Sequence, residues 1–335
     1  MSINFSKVKL PPKIRMDCYR MALYPILKYY NLDAELLLIA KKANLGYEEK
    51  LICKESECIN IGKMFNDFGI ESLFMNLVNK EKVMSVIKTA IDNDCFVICF
   101  MDVFYYSPFK SIFQKTHTVH GIPIYGYDDE KRVFYSIDSD YMESFNRVFA
   151  KVPYDDIINS VIGYSNLKKS FNIQVLKKDD SKTIPSFSVD SIRQKYATQY
   201  GERINLTEYN KYGEELKSLY NYISVFCTSE DEMIKFSKQS YKYIDQFINA
   251  RMLEYYGMPS IFENIDDLQN FNYVTVEKSN FIRSIMYRTV YTGEYRQKSF
   301  EKFPECFNSI LNNEKKRLEF MNTFQWENNI KPFNI

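Results

Sequence analysis

The chain carries no marked excess of charge of either sign. Its 44 Lys and Arg residues stand against 43 Asp and Glu residues, a formal net charge of +1. No block rich in Lys and Arg and no RNA-binding motif occurs, which argues against a nucleic-acid-binding protein. Long apolar runs are missing too: the longest, around CFVICFMDVFYY, is interrupted by Asp102 and is too short to span a bilayer. The start, MSINFSKVKLPPKIR, has no apolar signal segment, so we expect a cytoplasmic protein that does not bind membranes.

Cysteine pairs with the spacing of structural zinc sites are also absent. The seven cysteines lie at positions 18, 53, 58, 95, 99, 227 and 306. No two of them form a Cys-x-x-Cys pair, and Cys95 and Cys99 lie in an apolar run that predicts a buried strand. An odd number of cysteines without a signal segment fits reduced thiols in a cytosol. We therefore expect no metal site and no cofactor.

Histidine is scarce, and this narrows the search for chemistry. The two histidines of the chain, His117 and His120, both lie in KTHTVHGIPIYGYDD. Any catalysis that depends on histidine must therefore use this segment. Asp138 closes the strand pattern VFYSID that follows it.

The first half of the chain mixes helical and strand patterns. Asp17 is an N-cap candidate for a helix that begins at Cys18, and Pro25 is expected to kink this helix. AELLLIAKKAN (34–44) predicts a second helix, and NKEKVMSVIKTAIDND an amphipathic third. CFVICFMDV, THTVHGIPIYGY and KRVFYSID predict strands, the last two joined as a hairpin. VPYDDIINSVIG then predicts a helix and FNIQVLK a closing strand, so the fold class is expected to be α+β.

A polar segment, KKDDSKTIPSFSVD, separates this region from an almost wholly helical second half. We expect a catalytic domain over residues 1–177, a linker over residues 178–190 and a helical domain over residues 191–335. Ser229, followed by Asp231 and Glu232, predicts the cap of a long helix. The second half shows no catalytic signature of its own.

A cysteine–histidine–acid enzyme has three requirements. The thiol must ionise near neutral pH, which a helix N-terminus and a nearby imidazolium favour. The histidine must act as acid and base in turn, and a carboxylate must fix the imidazole tautomer. Cys18 at a helix start, His120 at the start of one strand and Asp138 near the end of its hairpin partner meet these requirements. Antiparallel pairing of the two strands would let the acid reach the ring.

These segments resemble a known family. DCYRMALYPILKYYN resembles the cysteine-bearing helix of papain-like cysteine peptidases of the bacteriocin-processing type, and of their relatives, the butirosin-type acyltransferases. MDVFYYSPF…HTVHGIPIYGYDDEKRVFYSID is similar to that family's Asp–aromatic–Pro segment followed by His, a strand, Gly-Tyr-Asp, a turn and Asp. The family's catalytic His lies six positions before the strand-ending Gly, which is Gly126 here, and this selects His120 over His117. The chain is also similar to the amide synthases of the closthioamide pathway, over roughly its first half and more weakly beyond.

The resemblance implies a papain-like fold, with an N-terminal helix packed on an antiparallel sheet, and Cys18, His120 and Asp138 as catalytic residues. It implies an amide-bond-forming acyltransferase of nonribosomal specialised metabolism. Cys18 would take an acyl chain from a phosphopantetheine thioester on an acyl or peptidyl carrier protein and pass it to a small amine. The closthioamide likeness implies an aryl-capped β-alanyl donor and a small diamine acceptor. The helical domain would then be a lid, an acyl-tunnel wall or a carrier-protein docking site.

One departure from the family bears on the reaction. Papain-like peptidases usually carry a Gln about six positions before the Cys as an oxyanion donor, and here that position is Pro12. Losing such a donor costs about 2.7–4 kcal/mol of transition-state stabilisation, which an activated thioester tolerates better than an amide. The sequence therefore favours acyl transfer over the alternative, a cysteine peptidase that processes a peptide or leader. A third hypothesis, a non-catalytic scaffold, is disfavoured by the intact Cys, His and Asp set.

Each assignment has an alternative. Cys18 would otherwise be a buried cysteine on a helix face, and His117 is the alternative base. The alternative orienting acids are Asp128, Asp129 and Asp140. Four residues near the predicted strands either line the substrate cleft or only fix their loop: Asp102, Tyr105, Tyr106 and His117.

Overall fold

A computed structural model of the chain describes residues 16–47, 51–139, 147–179, 181, 188–202, 212–215, 217–222, 229–292 and 297–333. The chain divides into two compact units. The first unit contains Met1–Ala34 and Ile61–Ile192, and the second contains Glu35–Asn60 and Arg193–Asn334. The expected continuous domain over residues 1–177 differs from this division, because residues 35–60 pack within the second unit. Most of the expected linker, residues 180 and 182–187, lies outside the described residues.

The first unit opens with helix α1, Cys18–Tyr29, which begins at the expected residue. The Asp17 carboxylate caps it by accepting the backbone N–H of Arg20 at 2.9 Å. The helix continues through Pro25, and its middle turns are buried nearly all round. The capping residue therefore fixes where the helix starts. Burial of its apolar residues holds α1 against strand β5 (Val119–Asp128), which carries His120.

A six-stranded antiparallel sheet forms the framework of the first unit, in the order β3-β8-β4-β5-β6-β7. Its other strands are β3 (Ile70–Met75), β4 (Phe96–Asp102), β6 (Val133–Ser139), β7 (Arg147–Pro153) and β8 (Ile173–Lys178). The predictions of β4, β5, β6 and β8 are confirmed. The two edge strands, β3 and β7, were not predicted. Pairing of β4 with both β8 and β5 places the start of β5 near the centre of the sheet.

Helices cover this sheet, and their packing encloses the main core. They are α2 (Ile61–Asp67), α3 (Lys80–Asp92) and α4 (Tyr154–Lys168). The predictions of α3 and α4 are confirmed. Val83 and Ile87 of α3 and Ile157 of α4 are completely buried in one cluster with Met101 of β4. This buried layer packs against the sheet whose strands carry His120 and Asp138.

The predicted helix over residues 34–44 is wrong. Only Ala34–Leu37 turn, as a short 3₁₀ helix, and Lys41–Tyr47 form strand β1, which pairs with Leu51–Glu57 (β2) in a hairpin. The apolar run over residues 36–40 is wholly buried, so it has no polar face of the kind an amphipathic helix shows. Strand pairing here overrides helix propensity.

The remaining elements of the second unit are helical, as predicted. They are α5 (Val189–Glu202), of which residues 193–202 belong to this unit, helical residues 212–215 and 217–222, α6 (Glu230–Ile261), α7 (Asp266–Thr292), α8 (Gln297–Phe300) and α9 (Phe303–Thr323). Ser229 and Glu232 form a reciprocal capping box at the start of α6, which confirms the predicted cap. The chain is therefore an α+β protein. Among the described residues, none of the helices is both long enough and apolar enough to cross a membrane.

A fully buried charge cluster lies in the core of the second unit. Glu314 of α9 accepts a hydrogen bond from Arg251 Nε at 2.7 Å and a second, shorter one from Arg251 Nη2. Arg317 Nη2 donates to Glu254 at 2.6 Å. Burial opposes the charge on Glu314, but Arg251 and Arg317 outweigh it and lower the pKa of this carboxyl. The four charges neutralise one another, so removing one of them would leave an uncompensated buried charge and destabilise this core.

Candidate active site

Cys18 is the first residue of α1, and the hydrogen bonding of this helix end leaves two donors beside it. Arg20 N–H is capped by the Asp17 side chain, and Met21 N–H donates to the Asp17 carbonyl at 3.0 Å. The backbone N–H groups of Cys18 and Tyr19 meet no acceptor within the described part of the chain. Free N–H groups and the helix dipole make this end of α1 favourable for negative charge.

His120 lies one strand away from Asp138, and the two side chains meet. Strands β5 and β6 pair antiparallel, so the start of β5 lies beside the end of β6. His120 Nε2 is 2.8 Å from Asp138 Oδ1, and both residues are buried. The expected hairpin thus brings the acid to the ring, with Asp138 as its partner.

Asp138 is itself held by two further donors. Its Oδ1 accepts the backbone N–H of Ser139 at 2.7 Å, and its Oδ2 accepts the Tyr106 hydroxyl at 2.8 Å. Tyr106 is completely buried. The carboxylate therefore has a fixed orientation, and it orients the His120 ring in turn.

The Cys18 side chain interacts with the His120 ring through hydrogen bonding and through its charge, and both interactions raise the pKa of the ring. Because Nε2 is engaged by Asp138, Nδ1 is the ring nitrogen that remains for the sulfur. Gly121 lies directly beside the sulfur, since a Cβ atom at that position would be 3.6 Å from Cys18 Sγ, an ordinary van der Waals contact. The three predicted residues are therefore brought together at the N-terminus of α1.

The electrostatics of His120 favour its charged form. Burial alone lowers the pKa of the ring, but the Asp138 carboxylate and its hydrogen bond raise it, and Cys18 adds to the same effect. The result is a pKa of about 10. The ring thus keeps its proton at neutral pH and places a positive charge beside the sulfur, which is the environment that activates a thiol as a nucleophile.

The alternative orienting acids lie elsewhere. Asp128 accepts from Lys131 within the turn after β5, with Lys131 N–H at 3.0 Å. Asp129 pairs with Lys88 and accepts from the Tyr154 hydroxyl at 3.0 Å. Asp140 lies outside the described residues. Among the described aspartates, Asp138 is the one bonded to His120.

The four candidate cleft residues separate into two groups. Tyr106 is buried behind Asp138, where it positions the acid and has no exposed surface for substrate. Asp102 is also buried, but its Oδ2 lies 2.7 Å from Nδ1 of the half-exposed His117. Tyr105, in the turn after β4, is 37% exposed. Each of the two histidines is therefore paired with a buried aspartate.

Three residues near the site were missed by the sequence analysis. Gly121, which approaches Cys18, follows His120 directly, and this His-Gly pair was the available signal. The Phe109 ring packs against the His120 ring with centroids 5.3 Å apart. Burial raises the pKa of Tyr164 on α4, and the charge of Cys18 raises it further, which places this phenol near the sulfur. No sequence pattern marks Tyr164, because only the fold brings α4 to this position.

At four of the other described cysteines, burial disfavours the thiolate. Burial raises the pKa of the thiols of Cys53, Cys95, Cys99 and Cys306, that of Cys53 to about 12. Cys227 lies outside the described residues. Within the described ranges, no group of three His, Cys, Asp or Glu side chains is arranged to hold a metal ion.

Comparisons with known proteins do not assign a family. No protein-family model matches the chain, and a search of curated protein sequences returns no match.

Proposed function

We propose that this protein is an amide-bond-forming acyltransferase with a papain-like Cys18–His120–Asp138 triad. The proposal is carried by one observation: His120 lies between the Asp138 carboxylate and the Cys18 thiol at a helix N-terminus. The donor is an acyl thioester on a carrier protein, and the acceptor is a small amine. The resemblance described above supports an aryl-capped β-alanyl chain as the acyl group and a small diamine as the acceptor.

The first half-reaction moves the acyl group to the enzyme. The Cys18 thiolate attacks the thioester carbonyl, a new carbon–sulfur bond forms, and the bond to the carrier's sulfur breaks. Protonated His120 gives its proton to the departing thiolate and becomes neutral. The backbone N–H groups of Cys18 and Tyr19, which meet no acceptor among the described residues, can donate to the oxyanion.

The second half-reaction releases the product. The acceptor nitrogen attacks the acyl–Cys18 carbonyl, neutral His120 accepts a proton from it, and the bond to Cys18 Sγ breaks. The Cys18 thiolate and the His120 imidazolium are thereby restored. Asp138 stabilises the charged ring in both directions without changing its own protonation.

The supply of oxyanion donors favours transfer from a thioester over cleavage of a peptide. Pro12, which occupies the position of the family's Gln, lies outside the described residues. Gln174 lies close by, but its Nε2 already donates to the Tyr19 hydroxyl at 3.1 Å and to Ser72 Oγ at 2.7 Å. Because the amide of Gln174 is already engaged, the described residues offer the oxyanion backbone donors, and an activated acyl group is the easier substrate for such a site.

Intact-mass spectrometry tests this function. The protein is incubated with an aryl-acyl thioester of N-acetylcysteamine, then with a small diamine. We expect an acyl adduct in the wild type and none in Cys18→Ala, and we expect the diamine to discharge the adduct as an amide. An unmodified wild-type protein that instead cleaves peptides would favour the alternative, a cysteine peptidase. No adduct and no cleavage would leave a scaffold role.

A further inference from the structure

The second His–Asp pair, His117 with Asp102, resembles the first, because a buried aspartate again holds one ring nitrogen of the histidine. The His117 ring stacks on the Phe104 ring with centroids 4.2 Å apart and an interplanar angle of 7°. Asp102 Oδ1 accepts the Phe104 backbone N–H at 3.1 Å, while Oδ2 holds His117 Nδ1. Asp102 is buried, yet the His117 side chain is 51% exposed. With Nδ1–H donated to Asp102, the lone pair of Nε2 is available to a ligand.

The sheet places this pair on the same face as the thiol. Phe100 of β4 pairs with Gly121, and Asp102 pairs with Val119. Phe100 and Asp102 point to one face because they are two residues apart, a distance of roughly 7 Å along the strand. On that face a Cβ atom at Gly121 would be 3.6 Å from both Cys18 Sγ and the Phe100 ring. Asp102 is thus a close neighbour of the residues around Cys18.

Helix α4 contacts both Asp102 and Phe100, through Gly163 and Tyr164. A Cβ atom at Gly163 would lie 3.1 Å from Asp102 Cβ and 2.7 Å from the Tyr105 ring. The ring of the next residue, Tyr164, lies tilted against the Phe100 ring with centroids 5.9 Å apart, and after burial the charge of Cys18 adds to the rise in its pKa. Asp102 and Tyr105 therefore adjoin Gly163, and Phe100 adjoins Tyr164, so these side chains are neighbours between the His117–Asp102 pair and the surroundings of Cys18.

Forming the amide from an ammonium ion releases two protons, and each proton needs an acceptor. An alkylamine at neutral pH is an ammonium ion, since its pKa is near that of a Lys side chain, roughly 10.4. Forming a neutral amide from it removes two protons from nitrogen. His120 takes one, because it gave one proton to the donor's sulfur and must regain one. The other proton goes either to the solvent, before the amine binds, or to a second base of the protein.

We infer that His117, oriented by Asp102, is the general base that deprotonates the acceptor ammonium before it attacks the acyl–Cys18 thioester. This inference rests on the proposed function. His117 Nε2 takes a proton from the ammonium, the free amine attacks, and His120 takes the second proton as the bond to Cys18 Sγ breaks. The exposed His117 ring then returns its proton to solvent. The ligand class is a primary alkylammonium ion.

The test compares two acceptors on one preformed acyl-enzyme. The wild type, His117→Gln and the exposed-site control Lys115→Gln are acylated with the N-acetylcysteamine thioester and then mixed with propylamine or with hydroxylamine near neutral pH. Hydroxylamine enters already neutral and so needs only His120. We expect His117→Gln to acylate normally, to lose roughly 10²-fold or more in discharge by propylamine, and to keep its discharge by hydroxylamine. Lys115→Gln should behave as the wild type.

Two results would overturn the inference while leaving the proposed function intact. One is an equal loss with both acceptors in His117→Gln, which indicates a structural role. The other is no loss with propylamine. If the wild-type protein forms no adduct at Cys18, the proposed function fails, and the role of His117 fails with it.

Discussion

His120 engages Asp138 through Nε2 at 2.8 Å, so Nδ1 is the nitrogen that remains for the Cys18 thiol. The His120 ring is therefore oriented with Nε2 toward the Asp138 carboxylate and Nδ1 toward the Cys18 thiol. Because Tyr106 and the Ser139 N–H hold the acid from behind, the ring cannot turn without breaking buried hydrogen bonds.

The first prediction concerns the charge on His120. In protein with isotope-labelled histidine, NMR should show two ring signals, and His117→Gln identifies its own. We expect the His120 signal to titrate at a pH of about 10, because Asp138 raises its pKa despite burial. In Asp138→Asn, burial still lowers the pKa of His120 but no carboxylate at position 138 raises it, so this pKa should fall far below that value. A His120 ring that loses its proton near pH 6.5 in the wild type would contradict this account.

The second prediction separates the effect of the Asp138 carboxylate on the His120 ring from the effect of the Tyr106 hydroxyl that holds this carboxylate. We expect Asp138→Asn to slow acylation of Cys18 by roughly 10²–10⁴-fold, because the amide no longer holds the charged ring. Tyr106→Phe removes only one of the acid's donors, so its loss should be smaller. Single-turnover acylation followed by mass spectrometry measures both. Equal rates in the wild type and Asp138→Asn would exclude the acid from the chemistry.

The third prediction uses the single Trp of the chain. A Cβ atom at Gly201 of α5 would lie 2.4 Å from Trp326 Cγ and 2.8 Å from its Cβ, so a rotamer change cannot relieve the clash. Gly201→Ala should destabilise the protein by about 1–3 kcal/mol and change the emission spectrum of the buried indole. Gly213→Ala is the matched control, since its Cβ would meet nothing within 4 Å. Fluorescence-monitored denaturation that ranks the two variants equally would refute the clash.

The fourth prediction concerns the buried charges of the second unit. Glu314→Gln leaves Arg251 with one ionic partner fewer in a fully buried site, and should cost about 3–5 kcal/mol of unfolding free energy. Because the pKa of Glu314 is lowered, this contribution is present above pH 4.5 and is lost as the pH falls further. Glu319→Gln, on the exposed side of the same helix, should change the stability little. Similar thermal shifts for both would contradict the assignment.

The local geometry around Cys18 and His120 was easier to predict from the sequence than the fold around it. Asp17 before Cys18 predicts a helix start because capping is local chemistry, and two histidines leave few candidates for the base. The pairing of His120 with Asp138 follows from a short hairpin. The Tyr106 contact with Asp138 joins separate strands and loops, so no local pattern reports it.

The errors in the fold prediction have physical causes as well. Strands β3 and β7 lie at the two edges of the sheet, and β3 is exposed over most of its length, so it lacks a regular apolar alternation. The run over residues 36–40 is buried on every side and has no periodicity to read. Its inclusion in the second unit depends on contacts distant in sequence.

Selective alkylation tests the central claim most directly, because it requires no knowledge of the substrate. The native protein is treated with substoichiometric iodoacetamide, and all seven cysteines are quantified by peptide mass spectrometry. Cys18 should react first, since it alone among the described cysteines adjoins a protonated imidazole, and its rate should fall at least about tenfold in His120→Asn. Preferential reaction at another described cysteine, or a Cys18 rate unchanged in His120→Asn, would contradict the account.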